Sequence, residues 1–98
     1  MPETINQIVE LYFYEMRHGN LGKSVVVHAN LTDPMPKVVE KAAKMLDIQA
    51  EEVAIITPDG TPVLVYEKGR EKRVKEIVEK YGFTYALLTK DLLGLLIN

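Results

Sequence analysis

The stretch SVVVHANLTDPMPKVVEKAAKML, residues 24–46, decides the fold class of this chain. Its first part, Ser24 to Ala29, contains three contiguous β-branched valines, and such a run favours a strand that is covered on both faces. Either Thr32 or Asp33 can cap a helix that follows, since the prolines after them are tolerated in a first helical turn. Apolar residues then recur at helical spacing opposite charged ones, at Val38, Val39, Ala42, Met45 and Leu46. The stretch therefore predicts a strand followed by an amphipathic helix.

Strands and helices continue to alternate toward the carboxyl terminus. Glu52 to Thr57 is a predicted strand, and Pro58-Asp59-Gly60-Thr61 indicates a turn, because proline presets φ and glycine accepts a positive φ. Pro62 to Tyr66 is then predicted to return as a hairpin partner. A second helix is predicted from Arg70 to Tyr81, and Gly82 occupies the position where a helix is expected to stop.

The last part of the chain is strongly apolar. Phe83 to Leu88 is a predicted strand, a turn is predicted at 89–91, and Leu92 to Ile97 is a predicted last strand. Because the run Leu-Leu-Gly-Leu-Leu-Ile is too apolar to remain in water, we expect it either to cover the core or to pair with a second chain.

Residues 3–18 have the properties of both a helix and a strand. The run Leu-Tyr-Phe-Tyr at 11–14 has strand propensity, and apolar residues within it alternate. We favour the helix, because a strand would leave Tyr12 and Tyr14 on the face in contact with water. Residues 17–22 are predicted to form a turn. The helical spacing is carried by Ile5, Ile8, Val9, Tyr12 and Met16.

These elements predict a single α+β domain that spans residues 1–98. A length of 98 residues, with 47% hydrophobic and 27% charged residues, is typical of one globular domain. The predicted order is (α or β)-β-α-β-β-α-β-β. We interpret it as a two-layer sandwich, in which two helices cover one face of a mixed sheet.

Composition and charge exclude several classes of function. The formal net charge of −2 disfavours a general binder of nucleic acid or of anionic membranes. The absence of cysteine excludes disulfides, thiol catalysis and thiolate metal sites. No apolar run approaches the roughly 20 residues of a membrane span, and the first residues do not resemble a secretory signal. We therefore expect a cytoplasmic protein without a membrane partner.

Few side chains are suited to catalysis or to metal binding. His18 and His28 are the only histidines, and they lack the spacing of a metal site, so we expect no metal and no cofactor. The single serine, Ser24, is not in a nucleophile elbow. A small enzyme or ligand-binding domain would need Asp33, His28 and Asp59 to converge in one pocket, and this is one alternative function.

A second alternative is a nucleic-acid-binding module that uses the charged segment 68–80. Its glutamates would repel phosphates, and two i, i+4 Glu–Lys pairs indicate a solvated, self-paired helix face instead. Nucleic acid is therefore a disfavoured partner. The candidate contacts of this alternative are Arg70, Lys72, Arg73 and Lys75.

The function that we favour is a non-enzymatic protein-interaction or adaptor module, with self-association into a homodimer as one possibility. Aromatic residues near the start of the chain and the apolar last segment are suited to a partner surface. The candidate residues are Tyr12, Tyr14, Leu92, Leu93, Leu95, Leu96 and Ile97.

The run Asn30-Leu31-Thr32-Asp33-Pro34-Met35-Pro36, between a strand and a helix, resembles the Gly-Leu-x-Cys-Pro-x-Pro signature of TusA/SirA-like sulfur-carrier proteins. Leu31, Pro34 and Pro36 match it, and the resemblance covers about residues 23–98. It implies a closing hairpin from Phe83 to Ile97. In that family the cysteine carries the persulfide; here Asp33 replaces it and would be left with a structural role as helix cap, worth about 1 kcal/mol.

The chain also resembles ubiquitin-like β-grasp domains, provided that residues 9–16 are a strand. A hairpin, a helix and the strand Glu51 to Ile56 would then follow in the order of that fold. The resemblance makes the helix at 70–81 an insertion. The chain has no terminal Gly-Gly pair, so it implies no modifier activity.

Overall fold

A computed structural model describes residues 7–17, 20–48 and 53–89, and within these ranges the chain forms six strands and two helices. Their order confirms the predicted α+β class. In sequence order they are β1 (Ile8–Arg17), β2 (Asn20–Asn30), α1 (Met35–Met45), β3 (Val53–Ile56), β4 (Tyr66–Glu67), β5 (Arg70–Glu71), α2 (Val74–Tyr81) and β6 (Thr84–Thr89).

Four of the strands form a mixed sheet in the order β2-β1-β6-β3. Strand β1 is antiparallel to β2 and parallel to β6, and β6 is antiparallel to β3. Strands β4 and β5 form a separate two-stranded sheet. The chain therefore returns from α2 into the centre of the sheet, where β6 separates β1 from β3.

The core lies between the four-stranded sheet and the two helices, as expected for a two-layer sandwich. Burial alternates along β1, where Leu11 and Phe13 are both 0% exposed, while β6 buries Tyr85, Ala86 and Leu87 in succession. Phe13 stacks on Tyr85 of β6, with ring centroids 5.5 Å apart. The helices contribute Met35, Val38, Val39, Ala42, Ala43, Val74 and Ile77 to the same cluster.

Strand β1 corrects the helix that we favoured for residues 3–18. Leu11 and Phe13 are buried while Tyr12 between them is 38% exposed, which is the period of two of a strand. The tyrosine on the water-exposed face is accommodated because its hydroxyl donates to Glu10 Oε1 at 3.1 Å. Residues 3–6 and His18 lie outside the described residues.

Strand β2 is longer than predicted and is covered on one face only. It begins at Asn20 and β1 ends at Arg17, so residues 17 and 20–22 of the predicted turn belong to strands, and His18 and Gly19 lie outside the described residues. Val27 is 2% exposed but Val26 is 39% exposed. The expectation of two covered faces is wrong because both helices pack on the same side of the sheet.

The turn after β3 forms as predicted, but its return strand does not. The Gly60 N–H donates to the Thr57 carbonyl at 2.9 Å, and Gly60 has a φ of 93°. In place of the predicted strand from Pro62 to Tyr66, the pairing with β3 consists of one bridge between Pro62 and Ile56 and one hydrogen bond from the Val63 N–H to the Ile55 carbonyl. Proline cannot donate to a ladder, which limits pairing at this point.

Helix α2 begins at Val74, four residues later than predicted. The hairpin of β4 and β5 occupies the preceding residues, and its turn uses Lys68 and Gly69, both with positive φ. The helix ends at Gly82 as predicted, since Gly82 has a φ of 87° and a ψ of −153°, a region open essentially to glycine alone.

The predicted strand at 83–88 is confirmed as β6, and the closing hairpin with Leu92 to Ile97 stays a prediction. Strand β1 pairs with Thr84 to Leu88 on one side, and β3 pairs with Ala86 to Thr89 on the other. The segment from Leu92 to Ile97 itself lies outside the described residues. Within the described ranges, no helix is long and apolar enough to cross a bilayer.

Candidate functional site

The face of the four-stranded sheet on which neither described helix packs, which we call the outer face, exposes large apolar side chains. The strand registers place Tyr12 opposite Val26 and Met16 opposite Leu21 on this face. The β1–β2 hairpin alone exposes four such residues. They are Ile8 at 59%, Leu21 at 52%, Val26 at 39% and Tyr12 at 38% exposed.

Glu10 is the acidic side chain that the registers place on the outer face, and it lies opposite His28. His28 Nε2 lies 3.1 Å from Glu10 Oε2, and the Tyr12 hydroxyl donates to the other carboxylate oxygen. The pKa of Tyr12 is raised, first by this hydrogen bond and then by the negative charge of Glu10. The outer face is therefore mainly apolar, with a single carboxylate that two neighbouring side chains hold by hydrogen bonds.

Both tyrosines predicted as partner-surface residues belong to the outer face. Tyr12 is exposed and Tyr14 is half-buried, opposite Ser24. The other predicted members, Leu92, Leu93, Leu95, Leu96 and Ile97, lie outside the described residues. Sequence reasoning missed Ile8, Leu21 and Val26. Period-two alternation would have placed Ile8 and Val26 beside the tyrosines, whereas Leu21 lies opposite Met16 only because the register shifts between Tyr14 and Met16.

Asp33 does not cap α1, which corrects our prediction. The residue before α1 is Pro34, and no side chain caps the helix. Instead Asp33 Oδ2 accepts the Asn30 N–H at 2.9 Å, and the Asp33 N–H donates to the Asn30 carbonyl at 2.9 Å. Its carboxylate turns back toward β2 because Pro34 extends the chain between it and the helix. Asp33 thus closes the end of β2.

A groove of about 260 Å³ lies between β2 and α1. Val27 and Val38 give it an apolar floor, and Lys37 and Lys41 line it from the helix. Neither lysine makes an ion pair with another described side chain. His28, Asp33 and Pro34 also line this groove.

The three polar residues that an enzyme would need do not converge. Asp59 lies in the turn after β3, at the opposite edge of the sheet from His28. Its pKa is lowered because Thr57 and then Thr61 donate hydrogen bonds to its carboxylate. Among the described residues, no group of three His, Asp or Glu side chains could hold a metal ion.

The four cations of the nucleic-acid alternative do not form one helix face. Three of them precede α2, which leaves only Lys75 on the helix. Arg70 Nη2 lies 3.3 Å from Glu76 Oε1, and Arg73 Nη1 donates to the Thr32 carbonyl at 3.3 Å. Lys72 is half-buried. Two of the candidate contacts are thus engaged within the chain.

Two parts of the fold concern the resemblances to known families. Through Ile56 the order is strand, strand, helix and strand, and Leu31 to Pro36 joins β2 to α1. This order of elements does not establish either resemblance. Comparison with known proteins finds no family whose model matches this chain, and no curated protein that matches it.

Proposed function

We propose that this chain is a non-enzymatic protein-interaction module, and that its outer face binds a second copy of the same chain. The observation that carries the proposal is the exposure of Ile8, Tyr12, Leu21 and Val26 on one helix-free surface. Contiguous exposed apolar surface is a mark of protein interfaces, whereas single exposed apolar residues are ordinary.

The charge of the outer face supports a second copy as the occupant. A two-fold interface brings each patch against itself, so a patch with charge of one sign would repel its partner. Glu10 and His28 are paired on the outer face, and the remaining side chains that the registers place there carry no formal charge at neutral pH. The Glu10 carboxylate, which is hydrogen-bonded to Tyr12 and His28, is the one negative charge that the described strands bring to such a contact, so repulsion is limited to this single charge on each copy.

The size of the outer face predicts a weak dimer. Four strands about 4.8 Å apart, with 10, 11, 4 and 6 residues at about 3.3 Å each, give a surface of roughly 500 Å². A standard interface buries about 800 Å² on each partner. We therefore expect association at micromolar or higher concentrations.

Sedimentation equilibrium from micromolar to millimolar concentration tests this proposal. The unchanged chain is expected to show a monomer–dimer equilibrium, and Val26→Glu is expected to shift it to monomer because two buried carboxylates would face each other. Leu64→Glu is the matched control, since Leu64 is 64% exposed but lies outside the four-stranded sheet. A monomer at every concentration, or equal dimerisation of the two variants, would contradict the proposal.

The nucleic-acid alternative has weaker support, because Arg70 and Arg73 already contact Glu76 and the Thr32 carbonyl. We keep the cytoplasm as the proposed compartment, since a chain without cysteine has no need of an oxidising one.

A further inference from the structure

We infer that the free edge of β2, together with the groove beside it, binds an extended acidic segment of a partner protein, which adds to the sheet as a fifth strand. This inference uses a different surface from the outer face and does not depend on dimerisation. It begins from the position of β2 at the edge of the sheet.

The backbone of β2 offers hydrogen-bonding groups that face away from β1. The Leu31 N–H donates to the Gln7 carbonyl on the β1 side, at 3.1 Å. Because successive residues of a strand alternate in direction, the N–H and carbonyl groups of Ser24, Val26 and His28 point to the open edge. Among the described residues, no backbone hydrogen bond engages these outward-facing N–H and carbonyl groups.

Asp33 sets the limit of this open edge. The next outward-facing residue along β2 is Asn30, and Asp33 occupies both its N–H and its carbonyl. An incoming strand can therefore pair with Ser24, Val26 and His28 but not beyond them. Such strand addition is a common mode of peptide recognition, in which backbone hydrogen bonds give affinity and alternate side chains give specificity.

The surroundings of the edge determine the chemistry of the added strand. Side chains that point toward α1 would enter the groove lined by Lys37 and Lys41, where acidic groups gain ion pairs. Side chains that point the other way would extend the apolar row of Val26 and Tyr12. The segment that fits alternates acidic and apolar residues.

Charge also disfavours a second copy at this edge. Two β2 strands paired antiparallel about a two-fold axis would bring Lys37 and Lys41 toward the same lysines of the other copy. These lysines have no described ion-pair partner that would offset the repulsion. An acidic partner strand avoids this repulsion between lysines.

The probe for this inference is a blocked heptapeptide that alternates glutamate and valine, with the lysine–valine heptapeptide of the same pattern as its control. We expect the acidic peptide to bind, and to shift the amide resonances of Ser24, Val26 and His28 in a titration followed by NMR. The double variant Lys37→Glu, Lys41→Glu is expected to weaken binding about tenfold, from two exposed ion pairs. Lys80→Glu, on the other helix, is the matched control.

Strand pairing is tested by modifying the peptide rather than the protein, so that a loss of binding cannot result from a misfolded protein variant. One peptide is N-methylated at every valine and another at every glutamate. Only one of these sets of N–H groups faces β2, so we expect one peptide to lose binding and the other to keep it. Equal binding of the lysine peptide, shifts confined to other residues, or no binding at millimolar peptide would overturn the inference.

Discussion

At the scale of single residues, Asp33 ties the end of β2 to the turn before α1. Its carboxylate is the acceptor for the Asn30 N–H. Removal of this acceptor in Asp33→Ala is expected to lower the free energy of unfolding by about 1–2 kcal/mol, because a half-buried N–H loses its partner. Asp33→Asn keeps an oxygen at the same place and should retain most of the stability. Urea denaturation of the two variants checks this, and equal stability of Asp33→Ala and the unchanged chain would refute it.

Glu76 is the second residue with a testable local role. Its pKa lies below the ordinary value of 4.5, first because the Arg73 N–H donates to its carboxylate and then because Arg70 lies beside it. A carboxylate with a lowered pKa contributes stability above pH 4.5, and loses it as the pH falls through the folded-state pKa.

Glu76→Gln is therefore expected to be less stable than the unchanged chain at neutral pH, and the difference should shrink when the pH falls below 4.5. Urea denaturation midpoints of Glu76→Gln and of the unchanged chain, measured from neutral pH to below pH 4.5, test this expectation. Glu79→Gln on the same helix is the control for the removal of one carboxylate, and it should change the stability at neutral pH little, since no described hydrogen bond or ion pair involves Glu79. A difference for Glu76→Gln that stays constant with pH would count against the contact.

At the scale of elements, β1 shows how a pattern with two periods is resolved. Residues 8, 9, 12 and 16 fit a helix, and residues 11 and 13 fit a strand; the structure buries Leu11 and Phe13. Parallel pairing with β6 decides in favour of the strand. This pairing joins residues about 70 positions apart, so the sequence around β1 does not reveal it.

Because β1 is a strand, substitutions at two neighbouring positions should differ strongly in how much they lower the free energy of unfolding. Phe13→Ala should cost about 3–5 kcal/mol of unfolding free energy, since Phe13 is fully buried against Tyr85. Tyr12→Ala should cost under about 1 kcal/mol, since Tyr12 is exposed. Thermal or urea denaturation measures both. A helix at 3–18 would require a large cost at Tyr12, and this result would contradict the strand.

The elements that sequence reasoning predicted well have local signals. Helix α1 follows from its apolar stripe, and the end of α2 follows from Gly82. The late start of α2 was missed because the β4–β5 hairpin depends on Lys68 at a φ of 54°. A positive φ is uncommon for lysine, so the sequence does not predict this turn. The role of Asp33 was missed because a residue before a helix usually faces the helix.

At the scale of the whole molecule, one hairpin supplies both proposed surfaces. The outer face and the open edge belong to β1 and β2, while the helices and β6 hold this hairpin from the other side. Under the two proposals, the molecule would bind its own copy on one surface and an acidic strand on the other, as an adaptor does. The sequence indicated a partner surface through Tyr12 and Tyr14, but the edge position of β2 required the sheet order.

The central claim is that the helix-free side of the sheet is the surface through which this protein acts. Amide resonances of the isotope-labelled chain, followed by NMR from micromolar to millimolar concentration, test it most directly. We expect concentration-dependent shifts at Tyr12, Leu21 and Val26, while residues on the exposed side of α1, such as Lys44, stay unchanged. Shifts confined to the helices, or none at any concentration, would contradict the claim.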